Sequence, residues 1–229
     1  MSMRCGLFGK LGSKRDFIAV ATPRKFLEVW EPWMQACLSA SRHQLGDGWQ
    51  SAFLSAPIWR FWLGADICGT SVAGVIMPSI DAVGRYYPLT LHAIADDETS
   101  IALPDADAQD PWYEDAERFL LATLDPGVSF EATATALEQL HPASTQSGTN
   151  AELIRSGSLV GMTPGDDGFA ASLAMLRSTN PGIYAAGTFW WTAGGTDFAS
   201  MALSCHGLPD PYDYSILLTG QLARATASA

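Results

Sequence analysis

Residues 58–94 read IWRFWLGADICGTSVAGVIMPSIDAVGRYYPLTLHAI. Residues 58–63, 72–77 and 86–94 are short runs rich in apolar, aromatic and β-branched side chains, each bounded by Gly, Pro, Ser or Asp, and are predicted to be strands. No helical pattern separates them, so the runs are expected to pair antiparallel, and a purely parallel doubly wound sheet is excluded.

Outward from this block the periodicity changes. Phe26, Val29, Trp30, Trp33, Cys37 and Leu38 recur at helical spacing and predict a helix over 23–44, with Pro23 in its first turn. Pro32 falls inside that pattern and is expected to kink or divide it. A short helix over 48–55 follows Gly46-Asp47-Gly48. Residues 96–117 carry nine acidic and no basic side chains and read as a solvated loop entering a helix with Phe119, Leu120 and Leu124 on its apolar stripe. Phe130, Leu137 and Leu140 mark another helix, and residues 142–150 are the best linker candidate. Beyond it, helices are expected over 168–176 and 212–222, and strands over 184–191 and 200–205. The pattern predicts one α/β domain over residues 1–229, a three-layer α-β-α sandwich with a mixed sheet.

The 229-residue chain is 48% hydrophobic and only 16% charged, which fits a globular domain with its own core and excludes a disordered or coiled-coil chain. A net charge of −11 argues against nucleic acid and anionic membranes as main partners. Residues 1–60 hold eight basic against four acidic side chains, a net of +4, so the remainder carries −15. That asymmetry is either complementary charge within one domain or a docking face with a chosen polarity. Cys5, Cys37, Cys68 and Cys205 form no CxxC pair and read as reduced, buried thiols of a cytoplasmic protein. No signal peptide or membrane span is visible in the sequence.

The motifs that would carry chemistry are incomplete. Gly9-Lys10 is not a phosphate loop, because Arg4 stands where its first Gly belongs and Leu11 where Ser or Thr belongs. There is no G-x-S-x-G elbow, and His43, His92, His141 and His206 form no ligand pair. Asp105-x-Asp107-x-x-Asp110 starts like a calcium loop but lacks its Gly and its final Glu. Two constellations remain. Thr163-Pro-Gly-Asp-Asp-Gly168 sets two carboxylates in a turn, and with Asp81 the pair Asp166 and Asp167 would supply ligands for a metal-dependent hydrolase or phosphatase. Asp81 and Arg85 lie four residues apart around Gly84, as a salt bridge bracing a strand connection or as an exposed recognition loop. Eight tryptophans exceed what a core of this size needs, which points to aromatic interface anchors.

An ordered series of motifs resembles the type VI secretion-associated TagF/ImpM family. It comprises Gly6-Leu-Phe-Gly-Lys-Leu11 with Asp16-Phe17, Phe26-Leu27 with Trp30-x-x-Trp33, Pro57-Ile-Trp-Arg-Phe61, and Met77-Pro-Ser-x-Asp-x-x-Gly-Arg-Tyr-x-Pro-Leu-Thr90. Trp190-Trp191-Thr192 and Gly207-Leu-Pro209 continue it, while Gly12 and Arg15 depart from it. The resemblance implies a cytoplasmic accessory protein without catalysis or cofactor. It further implies a post-translational repressor that binds a forkhead-associated scaffold protein of the same system; a structural assembly component is the alternative. Lys10, Asp16, Asp81, Arg85, Trp190 and Trp191 are the candidate protein-binding residues, with the loops around Lys10 and Asp81 expected near a common surface.

Overall fold

The computed structural model describes residues 4–95, 99–104, 109–141, 143, 145–147, 154–156, 159–161 and 185–221. The chain opens with β1 (Arg4–Gly9) and β2 (Ile18–Val20), then α1 (Arg24–Leu45) and α2 (Trp49–Ser55). β3 (Trp59–Leu63), the one-turn α3 (Ala65–Cys68), β4 (Val72–Met77) and β5 (Leu89–Ile94) follow. After β6 (Thr99–Ile101) come α4 (Asp110–Ala122) and α5 (Phe130–Gln139). β7 (Thr145–Ser147) lies inside the linker candidate and pairs with β6, and β8 (Ile154–Ser156) pairs with β9 (Leu159–Gly161). β10 (Gly187–Thr192), β11 (Met201–His206) and α6 (Tyr214–Thr219) complete the described elements. The expected helix over 168–176 lies outside the described residues.

Seven strands form one sheet in the order β11-β10-β3-β4-β5-β1-β2, and every pairing is antiparallel. The expectation of a mixed sheet is therefore corrected. A helical connection does join two strands of the same direction, β2 and β3, but β4, β5 and β1 lie between them, so no parallel ladder forms. β1 and β2 are the strands of this sheet that the sequence reading missed, and β6 to β9 of the two small two-stranded sheets were missed as well. β1 carries Gly6 and Gly9, which weaken its strand pattern, and β2 is only three residues long.

Side-chain alternation along the central strands divides the core in two. Trp59, Phe61, Leu63 and Trp190 pack with residues of α1, α2 and α6. Trp62, Ala73, Val75, Leu89 and Leu91 pack with Trp112, Tyr113, Ala116 and Leu120 of α4 and Leu137 of α5. Those four α4 residues are its buried stripe; Leu124 lies beyond the helix and is exposed, contrary to expectation. Arg60, projecting from β3, fixes α4 with a two-pronged bond to Glu117 at 2.6 and 3.1 Å and a third to Asp110 at 3.1 Å. α1 runs unbroken through Pro32. Pro32 takes one N–H from the ladder, and the buried Trp30, Trp33 and Met34 hold the turns on either side against the sheet.

The centre of the first core half is aromatic. Trp30 lies 4.8 Å from Phe61 and 6.1 Å from Trp190 between ring centroids, and Trp190 lies 5.5 Å from Trp33. Each indole N–H finds an acceptor: Trp30 on Thr90 Oγ1, Trp33 on the Pro209 carbonyl, Trp190 on Thr188 Oγ1. Seven of the eight tryptophans are buried and Trp191 is half-buried, so the excess of tryptophan is a packing feature rather than a set of interface anchors. Trp190→Ala is expected to cost ~3–5 kcal/mol of folding stability, read as a lower urea midpoint with unchanged slope. A loss below ~1 kcal/mol would contradict this packing.

Candidate functional site

Three strand ends meet at one end of the sheet, because Leu89 at the start of β5 pairs with both Gly9 at the end of β1 and Met77 at the end of β4. The loop leaving β1 and the connection between β4 and β5 are therefore neighbours. Ser79 Oγ donates to the Lys10 carbonyl at 2.7 Å, and Ala82 N donates to the Lys14 carbonyl at 3.0 Å. Arg85 Nη2 donates to the Arg15 carbonyl. Gly84 turns the second loop at φ +85°, a value that favours glycine, with its N–H on the Asp81 carbonyl at 3.0 Å.

Asp81 is the centre of this arrangement, and its side chain is sealed from solvent. Oδ1 accepts from the backbone N–H groups of Val83 at 3.0 Å and Arg85 at 2.9 Å. Oδ2 accepts from Lys10 Nζ at 2.5 Å and Arg85 Nε at 2.7 Å. Burial by itself would raise this carboxyl's pKa. The Lys10 ammonium, the two backbone donors and the Arg85 guanidinium outweigh burial and hold it well below the ordinary carboxylate range. Lys10 is buried as deeply as its partner, with Nζ 4.4 Å from the centre of the Phe17 ring. Arg85 is different, its side chain 55% exposed on the outer side of the pair. Four donors leave Asp81 no vacant lone pair, so a metal could reach it only by displacing the brace. Among the described residues no three His, Cys, Asp or Glu side chains gather to hold a cation.

Around the brace the loops present exposed side chains of mixed character. Phe17 is 47% and Val83 53% exposed, and Arg15 and Asp16 are also exposed. Phe17 lies edge-on to Tyr87 at 4.7 Å, which fixes its ring without burying it.

The model of the TagF N-terminal domain, type VI secretion system-associated, matches residues 6–140, a stretch that contains both loops. The chain belongs to the TagF family. It is also similar to the crystal structure of PA0076 from Pseudomonas aeruginosa PAO1, with a TM-score of 0.81 and 31% identity over 96% of each chain. No curated protein matches.

Of the candidate residues in this TagF-family chain, Lys10, Asp81 and Arg85 form one cluster, and Asp16 stands exposed on the neighbouring loop. Trp190 is deep in the core, and Trp191 packs edge-on against Tyr113 at 4.8 Å on the opposite face. Neither lies with the two loops. Asp166 and Asp167 fall outside the described residues. The sequence reading paired Asp81 with Arg85 and missed Lys10 as the buried partner. Its signal was a lone cation in the apolar run 6–11, which demands a counter-charge once that run is buried.

A second buried ionisable group lies one strand away. The His92 side chain on β5 has Nε2 3.1 Å from Thr22 Oγ1 and its ring 4.5 Å from Phe26. Gly6 sits directly opposite on β1, where a Cβ would come within 2.3 Å of His92 Cε1. Burial pushes the His92 pKa down to about 3.

Asp81→Ala and Lys10→Ala each strand a buried charge and are expected to cost ~3–5 kcal/mol, whereas Arg85→Ala, removing a half-exposed partner, costs about 1 kcal/mol or less. Chemical denaturation at pH 7 checks the ranking; an Arg85→Ala loss equal to that of Lys10→Ala would reverse the roles assigned here.

The two groups also act in different pH windows. The unfolded chain protonates His92 below ~6.5 while the folded chain resists down to about 3, so stability falls as pH drops through that interval, by about 1.4 kcal/mol per unit from this group. Asp81 contributes fully above ~3.9 and is lost only as pH falls further. Urea titrations between pH 7 and 4 should lose this slope in His92→Gln; an unchanged slope would show that other groups set it.

Proposed function

We propose that the protein is a non-catalytic, cytoplasmic regulator of the type VI secretion system, a single three-layer α-β-α domain that represses secretion by binding the system's forkhead-associated scaffold protein. Membership of a type VI secretion-associated family supports the system. The observation that carries a binding role is the buried Lys10–Asp81 pair, which locks two loops into one surface and takes no part in that surface itself. What the lock presents is Phe17, Val83, Arg15, Asp16 and the half-exposed Arg85. Exposed apolar groups among charges of both signs suit a protein partner, and preorganised loops reduce the entropy lost on docking.

Calorimetry with the purified scaffold tests this. Val83→Asp and Arg15→Glu are expected to weaken binding tenfold or more, about 1.4 kcal/mol, with melting temperatures unchanged. No heat of binding at ~10 μM scaffold, a level that requires only about −7 kcal/mol, would sink the partner assignment. A deletion strain scored for secretion tests the direction: gain supports repression, and loss indicates an assembly component.

A further inference from the structure

The two edges of the seven-stranded sheet are unlike. β2 is three residues long and runs within a few residues into Pro23, so it offers little to an incoming strand. β11 is six residues long, Met201-Ala-Leu-Ser-Cys-His206, and pairs with β10 through six continuous positions without a bulge. The hydrogen bond from Gly207 N to the Ala186 carbonyl, 2.6 Å, sets the parity of that ladder. Along an antiparallel strand, residues alternately aim both backbone groups at the partner or away from it. Met201, Leu203 and Cys205 therefore bond β10, and Ala202, Ser204 and His206 turn three N–H and three C=O groups outward. The side chains of these three residues are exposed, and among the described residues no strand lies beyond them.

Edges of this length are ordinarily blunted by Lys, Pro, a bulge or an inward charge. β11 has none of these. Its surroundings are acidic instead. Asp197 stands four residues before Met201 and Asp210 four after His206, both exposed, and residues 185–221 contain Asp213 as well but no Lys or Arg.

We propose that β11 is a strand-addition site for an extended segment of a partner protein that carries Lys or Arg at both ends. Backbone pairing supplies the affinity, and the flanking carboxylates select the charge. A second copy of this chain is the disfavoured occupant, because antiparallel pairing about a two-fold axis would bring its acidic flanks against Asp197 and Asp210. The site is separate from the Lys10–Asp81 loops, since β11 lies three positions from β4 and five from β1 in the sheet.

The test is selection of a displayed random dodecapeptide library on the full chain, followed by binding measurements with the enriched peptides made synthetically. The expected peptides alternate apolar and polar residues between basic ends. They should bind at least tenfold more weakly to Ser204→Pro, which removes an outward N–H while leaving the β10 ladder intact. Ser204→Lys, which keeps the backbone donor and adds a like charge, should weaken them as well and covers the case in which the proline variant does not fold. Binding should weaken as salt rises, and amide exchange at Ala202, Ser204 and His206 should slow at least tenfold in wild type when peptide is added. Three results would overturn the proposal: no enriched peptide sensitive to either substitution, enriched peptides with acidic ends, or protection of the three amides that grows with protein concentration alone, which would make a second copy the occupant.

Discussion

A carboxylate without access to water must be neutralised by its neighbours, and the candidate site is organised around meeting that demand for Asp81. Its four donors come from one loop's side chain and from the backbone and side chain of the other. The loops can supply them only because β1 and β4 both end beside the start of β5. Sheet register and loop conformation are thereby one constraint. A slip of β1 against β5 by one residue would exchange its side chains between the two core halves and carry Lys10 away from its partner. The pair is a weak source of net stability, because desolvation offsets most of the attraction between its charges. Its stronger effect is on specificity of structure, since few other arrangements of these loops satisfy both charges.

The uneven charge of the sequence is resolved inside the molecule in the same manner. Basic side chains of the first sixty residues meet acidic ones from later in the chain: Lys10 meets Asp81, Lys14 lies 3.8 Å from Glu131, and Arg60 binds Asp110 and Glu117. Complementary charge within one fold accounts for these three. Arg60 does the most structurally, since its bidentate grip on Glu117 from a half-buried position fixes a helix on the sheet. The Lys14 pair is exposed and adds little.

The helices and the central hairpins were legible because their signals are local. The stripe from Phe26 to Leu38 and the Pro- and Gly-bounded runs at 72–77 and 86–94 do not depend on what packs against them. Antiparallel pairing within 58–94 was legible from the absence of an intervening helix, and β3, β4 and β5 pair that way; the direction of the strands outside that block was not, because helical segments separate them from it. Burial of all six residues of β4 removes the alternation that marks a one-sided antiparallel strand, so its direction was read from its neighbours in the chain. The use of tryptophan was misread for a related reason. Trp is favoured at interfaces because it joins a large apolar surface to one polar handle, and the same property serves a core that can offer an acceptor to that handle. Here the acceptors are Thr90, Thr188 and the Pro209 carbonyl, the last lying 176 residues from Trp33 in the chain. No sequence window spans such a contact.

Burial of both sheet faces also decides where such a domain is able to interact. Helices pack on the sheet over β1, β3, β4 and β5, so among the described residues the strand ends, the two sheet edges and the exposed side chains of β11 remain for a partner to reach. At the strand ends, a buried ion pair holds loops that present Phe17 and Val83, and recognition falls to side chains. At the β11 edge the balance is reversed, with small side chains such as Ala202 and Ser204 and an unpaired line of backbone donors and acceptors. Surfaces of these two kinds are chemically distinct, one reading the shape and charge of a folded partner and the other the backbone of an extended one. With both proposed surfaces occupied, the chain would hold a folded protein and a strand-forming tail at once. If the two ligands belong to one chain, the second contact becomes intramolecular and gains in effective concentration without any further interface.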